Sequence, residues 1–212
     1  MVFVLVLANV LCYIIDTWGK QTADTDFECQ LQGLYLNLRD PRAYQLITAN
    51  LCHMSTQHLG ANMFPLLLYG KAVEKQVGPR GLLLVYFFCG VCAHLVILLS
   101  FPVAKGYQGY SIGSSGATFG LLAFAGVSQV LRKQGSWRSL AEALVVGYYV
   151  FLHVSACIWL LASLLSRRVG IDATALPHSG AISHLSGAVS GLFLAPLVYF
   201  WGLFTNRTRW LE

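Results

Sequence analysis

The sequence predicts an all-α polytopic membrane protein, a bundle of six transmembrane helices. Two observations carry this reading. Only 11% of the 212 residues are charged and 56% are hydrophobic, where a soluble domain carries roughly 25% charged residues. Apolar stretches close to the ~20 residues that cross a hydrocarbon core recur along the chain, and the mean hydropathy is +0.61. They occupy well over half of the sequence, which leaves room for one domain over residues 1–212 and no separate soluble one.

Each element follows from its apolar run and from what interrupts it. Residues 2–15 are short for a span, but they lack the basic leader and small-x-small site of a signal peptide, so they read as the first span. Residues 16–43 read as a long polar loop. Its Trp18, Phe27, Leu31, Leu34, Tyr35 and Leu36 suit a segment lying partly among lipid headgroups. The second span, 44–69, is interrupted by His53, His58 and Asn62 and by Pro65, which is expected to kink it. The third covers 81–103, the fourth 113–131, the fifth 140–165 and the sixth 181–204, with a loop at 166–177 and a polar tail at 205–212.

An even number of spans puts both termini on one side. The turns after spans two and four, with the tail, hold Lys71, Lys75, Arg80, Arg132, Lys133, Arg138, Arg207 and Arg209 against Glu74, Glu142 and Glu212. The remaining loops are neutral. Lys and Arg favour the cytoplasmic side, so the termini are expected there and Asn206-Arg207-Thr208 is expected to stay unglycosylated. The net charge of +5 is spread over these short loops and is not gathered into a patch interleaved with aromatics, so no nucleic-acid partner is expected. Five of the six cysteines fall in apolar segments and Cys29 has no loop partner, which argues against a disulfide framework. Cys89 and Cys92 lack the second pair that a zinc site needs.

The stretch Gly113-Ser114-Ser115-Gly116-Ala117-Thr118-Phe119-Gly120 opens the fourth span. A hydroxyl at the top of a membrane helix is either a cap or a nucleophile awaiting a base. Histidine is the usual base because its pKa lies near neutrality, and His184 opens the sixth span. Gly116 and Gly120 make a small-xxx-small face, as do Gly187 and Gly191, and two such faces pack backbone to backbone. That packing would bring Ser115 and His184 together as a dyad. Phe119, one turn below Ser115, is placed to pack on the His184 ring.

Acyl transfer also needs donors aimed at the developing oxyanion. His58 and Asn62 share one face of span two, and the Ser115 N–H would complete the set. The competing reading is polar glue between helices. His53 lies on a different azimuth and reads as structural, bonding the first loop. His94 and His153 read as interhelical donors, and His178 is the runner-up base. Asp172 sits in a loop, unsuited to orient the imidazole. No His-Glu-x-x-His suggests zinc, and no pair of membrane aspartates suggests an aspartyl dyad, so neither metal nor cofactor is expected.

These residues resemble the rhomboid family of intramembrane serine proteases. Tyr44-Gln45-Leu46-Ile47-Thr48 through His53, His58-Leu59 and Asn62-Met63 is similar to the family's second-helix signature, and Gly70 through Glu74 and Gly78 to the turn that follows. Gly113-Ser114-Ser115-Gly116 resembles the G-x-S-G motif, and His184 with Gly187 and Gly191 resembles the H-x-x-G-x-x-x-G of the last helix. The resemblance spans about residues 44–204. It implies Ser115 as nucleophile, His184 as general base, His58 and Asn62 at the oxyanion, and Glu74 holding the cytoplasmic helix turn. It implies single-span membrane proteins as substrates and the lipid bilayer as medium, with residues 166–177 as a lid. It also implies a secretory-pathway or plasma-membrane location ahead of a mitochondrial one. Gln45 departs from the family's frequent arginine, which puts the usual anchoring of the first loop in doubt. A non-catalytic rhomboid-like protein that binds membrane clients for trafficking or degradation is the alternative. A channel or transporter is a third reading, without the intramembrane charges or inverted repeat it would need.

Overall fold

The computed structural model describes residues 1–22, 33–100, 109–132 and 177–204. The expectations for the fifth span with His153, the lid at 166–177 with Asp172, Cys29 and the tail lie outside these residues. The described chain is helical apart from one small ladder, in the order α1 (Val2–Thr22), β1 (Leu36–Asn37), α2 (Gln45–Thr48), a 3-10 turn (Ala49–Leu51), α3 (Thr56–Ser100), β2 (Tyr110–Ser111), α4 (Ser115–Arg132) and α5 (Pro177–Phe204).

α1 runs to Thr22, past the expected end of the first span at residue 15. The sequence reading stopped at the charge of Asp16, but that residue is buried and a charge by itself does not end a backbone ladder. The second span also differs from expectation. Residues 44–55 are a short helix, a 3-10 turn and a bend, and the long helix begins only at Thr56.

α3 has 45 residues and leaves helical geometry only at Gly78, with φ 73° and ψ 175°. Its two arms of about 22 residues each are about 33 Å long, enough to cross a ~30 Å hydrocarbon core. His58 near the start of α3 and Ala93 near its end both approach Gly113–Gly116, so the arms fold back on one another. The Gly78-Pro79 pair explains the turn. Glycine tolerates the left-handed conformation that ends one helix, and proline is preorganised for the first position of the next. Pro65 produces no such break: the helix passes through it with helical dihedrals. Gly78 has open space where a Cβ would stand, so Gly78→Ala tests backbone strain alone. A loss of about 1–3 kcal/mol is expected by thermal unfolding, and an unchanged midpoint would refute the strain.

The main core gathers Val2 and Leu5 of α1, Leu66, Val73, Leu82, Val85, Tyr86 and Cys89 of α3, Leu121 and Phe124 of α4 and Ala195 of α5. Large apolar side chains also point outward: Phe64, Phe193 and Trp201 each keep more than 70% of their surface. In water such a surface would be costly. In lipid it is the solvent-matched face. The 45-residue α3 and the segment 182–199 of α5 are both long and apolar enough to cross a membrane.

A second apolar cluster ties the loops to one end of this bundle. Leu36, Leu38 and Ala49 pack on Ile97, with Ile182 of α5 against them. β1 pairs antiparallel with β2, Leu36 opposite Ser111 and Asn37 opposite Tyr110, and the Leu38 N–H extends the ladder to the Gly109 carbonyl at 3.1 Å. Gln45 holds the first loop in place. Its amide donates to the Gly33 carbonyl at 3.0 Å, and its oxygen accepts the N–H groups of Arg42 at 2.9 Å and Asn37 at 3.3 Å. The anchoring put in doubt by the missing arginine is therefore supplied by a neutral amide.

Candidate active site

Ser115 is the first residue of α4. The Ser114 carbonyl accepts the Thr118 N–H at 2.9 Å, so Ser115 stands where a backbone N–H has no intrahelical acceptor and the helix dipole is positive. The chain enters this position through Gly113 at φ 116°, a conformation that L side chains rarely adopt. Gly113 is also crowded: an added Cβ would lie 2.6 Å from Cε1 and 2.7 Å from Nε2 of His58. Glycine here lets the imidazole of His58 lie directly against the serine loop.

The loop is fastened from several directions. Gly113 N–H donates to the Ala49 carbonyl at 2.9 Å. Ser114 Oγ lies 3.3 Å from His53 Nε2, and Ser111 Oγ lies 2.8 Å from His94 Nδ1. Two expectations are refined by these contacts. His53 bonds the serine loop and, among the described residues, not the first loop, and its ring also meets His58 edge-on at 5.0 Å. His94 has its partner in the loop just before Gly113. Both histidines are buried, which suits fixed structural pairs.

α4 and α5 meet backbone to backbone. A Cβ on Gly187 would overlap the Gly116 carbonyl, and one on Gly191 would overlap the Gly120 carbonyl; a Cβ on Gly116 would stand 3.1 Å from Ser183 Oγ. The paired glycine faces expected from the sequence are thus in contact. His184 lies between Ser183 and Gly187 on α5, and its ring stacks on Phe119 with centroids 4.3 Å apart and planes within 14°. Ser115 and Phe119 are four residues apart, hence neighbours on one face of α4. The imidazole lies over the face that carries Ser115.

Asn62 is buried and donates one amide hydrogen to the His58 carbonyl at 2.8 Å. The amide has a second hydrogen. His58 is fixed from the other side by Ser55, whose Oγ accepts the His58 N–H at 3.1 Å. His178 lies in the first turn of α5.

A family model described as the Rhomboid domain matches residues 40–200. The chain belongs to the rhomboid family. It is 35% identical over 191 residues to Rhomboid-like protein 11, chloroplastic, of Arabidopsis thaliana, a match covering 90% of this chain and 65% of that protein. RHOMBOID-like protein 1 of the same plant is 31% identical over 170 residues, covering 78% of this chain and 38% of the relative. RHOMBOID-like protein 6, mitochondrial, is 26% identical over 172 residues, covering 79% and 49%. The chain thus spans between about two fifths and two thirds of the length of these relatives. The sequence alone assigns no role to Ser114, Asn9, Asn50 and Tyr86, whose polar groups are buried. The available signal was simple: a polar side chain inside an apolar segment needs a partner.

Proposed function

We propose that this rhomboid-family membrane protein is a serine endopeptidase that hydrolyses peptide bonds in or near the transmembrane segments of single-span membrane proteins. The observation that supports the reading is the stack of His184 on Phe119, because Phe119 and Ser115 are neighbours on one face of α4. In this mechanism His184 accepts the Ser115 proton as Oγ attacks the substrate carbonyl carbon. Negative charge then grows on the carbonyl oxygen. The Ser115 N–H, His58 and the second amide hydrogen of Asn62 stabilise it, helped by the positive end of α4. His184 returns the proton to the leaving amine, and water admitted to the site hydrolyses the acyl-enzyme by the same route. The dyad works without a third carboxylate because Phe119 orients the ring by contact. No metal or cofactor enters these steps.

The proposed orientation keeps both termini cytoplasmic, with the site toward the opposite side. The plastid and mitochondrial names among the relatives add to the secretory-pathway and plasma membranes as places where such a site would act.

Fluorophosphonate labelling in proteoliposomes tests the reading. Label is expected on Ser115, and His184→Ala is expected to abolish it; label on another residue would mean a different nucleophile. His58→Ala and Asn62→Ala are each expected to lower kcat by about 10²–10³-fold, the range for one oxyanion donor. A loss in KM alone would assign these residues to substrate binding.

A further inference from the structure

Asn9 of α1, Asn50 of the 3-10 turn and Tyr86 of α3 are each fully enclosed, in positions where hydrocarbon packing alone would favour apolar side chains. Their polar groups meet. The Tyr86 phenol donates to the Asn50 carbonyl at 3.0 Å, and Asn9 Nδ2 donates to the phenol oxygen at 3.2 Å and to the Leu5 carbonyl at 2.7 Å. Asn50 Nδ2 closes on the Leu46 carbonyl at 2.8 Å. The Asn50 side chain lies so near Gly90 that any Cβ there would overlap its Oδ1.

This chain of contacts leads to the serine loop. Ala49, beside Asn50, accepts the Gly113 N–H at 2.9 Å. His53, three residues on, meets Ser114 Oγ at 3.3 Å. Buried polar groups are costly when unpaired, so a network of this kind favours one arrangement over its neighbours.

We propose that Tyr86, held by Asn9, is a positioning residue for Ser115: it fixes the 3-10 turn from which the Gly113–Ser115 backbone hangs. This rests on the hydrolase reading above. Tyr86 is fully enclosed, so its hydroxyl acts on the chemical step and not by touching substrate.

The test uses the full chain in proteoliposomes and compares wild type with Tyr86→Phe, Asn9→Ala and Val85→Ala. Val85 is a buried neighbour of Tyr86 outside the hydrogen-bonded chain and calibrates general loss of stability. The readouts are reporter kcat and KM, and the fluorophosphonate labelling rate per folded molecule. Tyr86→Phe is expected to lower kcat and the labelling rate about tenfold with KM within about twofold, and Asn9→Ala to move them the same way by less. Val85→Ala is expected to lower the unfolding temperature while leaving the labelling rate per folded molecule unchanged. A wild-type labelling rate in Tyr86→Phe overturns the proposal, as does an equal loss of rate in Val85→Ala. Should Tyr86→Phe fail to fold, a wild-type rate in Asn9→Ala overturns it. Wild type that neither cleaves nor labels removes the hydrolase reading itself, a separate outcome.

Discussion

Ser115→Ala and His184→Ala are each expected to cut cleavage of a single-span reporter by about 10⁴- to 10⁶-fold, with unfolding midpoints close to wild type. The size follows from the chemistry. A serine hydroxyl is a weak nucleophile unless a base takes its proton, and a base without a nucleophile forms no acyl-enzyme. The two groups act as a unit, so the double variant should be no worse than either single one. The backbone contact of α4 with α5 runs through Gly116, Gly120, Gly187 and Gly191; His184→Ala also removes the stack on Phe119, so its midpoint is expected to fall slightly further than that of Ser115→Ala. The measurement is product formation in proteoliposomes at matched protein, with an active-site fluorophosphonate count. Equal cleavage by all three proteins would end the enzymatic reading and favour a client-binding rhomboid-like protein.

Gly187→Val and Gly191→Val should have the largest effects on stability. Even a methyl group at either position would overlap a backbone carbonyl of α4, and backbone cannot rotate aside as a flexible side chain does. The helices must separate. Alanine is expected to cost about 1–3 kcal/mol and valine more. Activity is expected to fall further than the folded fraction, because spreading the helices pulls His184 from the Ser115 face, and a displacement of about 1 Å is enough for a ~10²-fold loss. Gly60 and Gly126 are the controls, with open space around them. Alanine there is expected to be neutral or to gain up to about 1 kcal/mol from helix propensity. The close-approach argument fails if Gly187→Ala unfolds at the same point as Gly60→Ala.

Much of this was legible because the signals are periodic or local. Glycines four residues apart mark a close helix face wherever the helix goes, so both halves of the α4–α5 contact were readable and only their meeting had to be inferred. Phe119 follows Ser115 by one turn, a relation the helix itself guarantees. Gly78-Pro79 marks a stop and a start in two adjacent residues. Gln45 was misjudged for the opposite reason. Its role depends on the Gly33 carbonyl and on the N–H groups of Asn37 and Arg42 being carried to it by the first loop, and residue type does not show that an amide serves as well as a guanidinium. The charge of Asp16 makes the first span look shorter than α1 is, whereas burial is decided by what packs around a residue.

The sequence by itself determined the medium, the helical class and the chemical types available, because apolar composition, glycine spacing and the presence of a glycine-flanked serine pair and several imidazoles are properties of the chain alone. Tertiary structure decided where each imidazole goes. His53 went to Ser114, His94 to Ser111 and His184 to Phe119, pairings fixed by how far each helix is rotated and how deep it sits. The same holds for Asn9, Asn50 and Tyr86. Their partners are separated by up to 77 residues, and no local pattern encodes which buried donor will find which acceptor once the helices have packed.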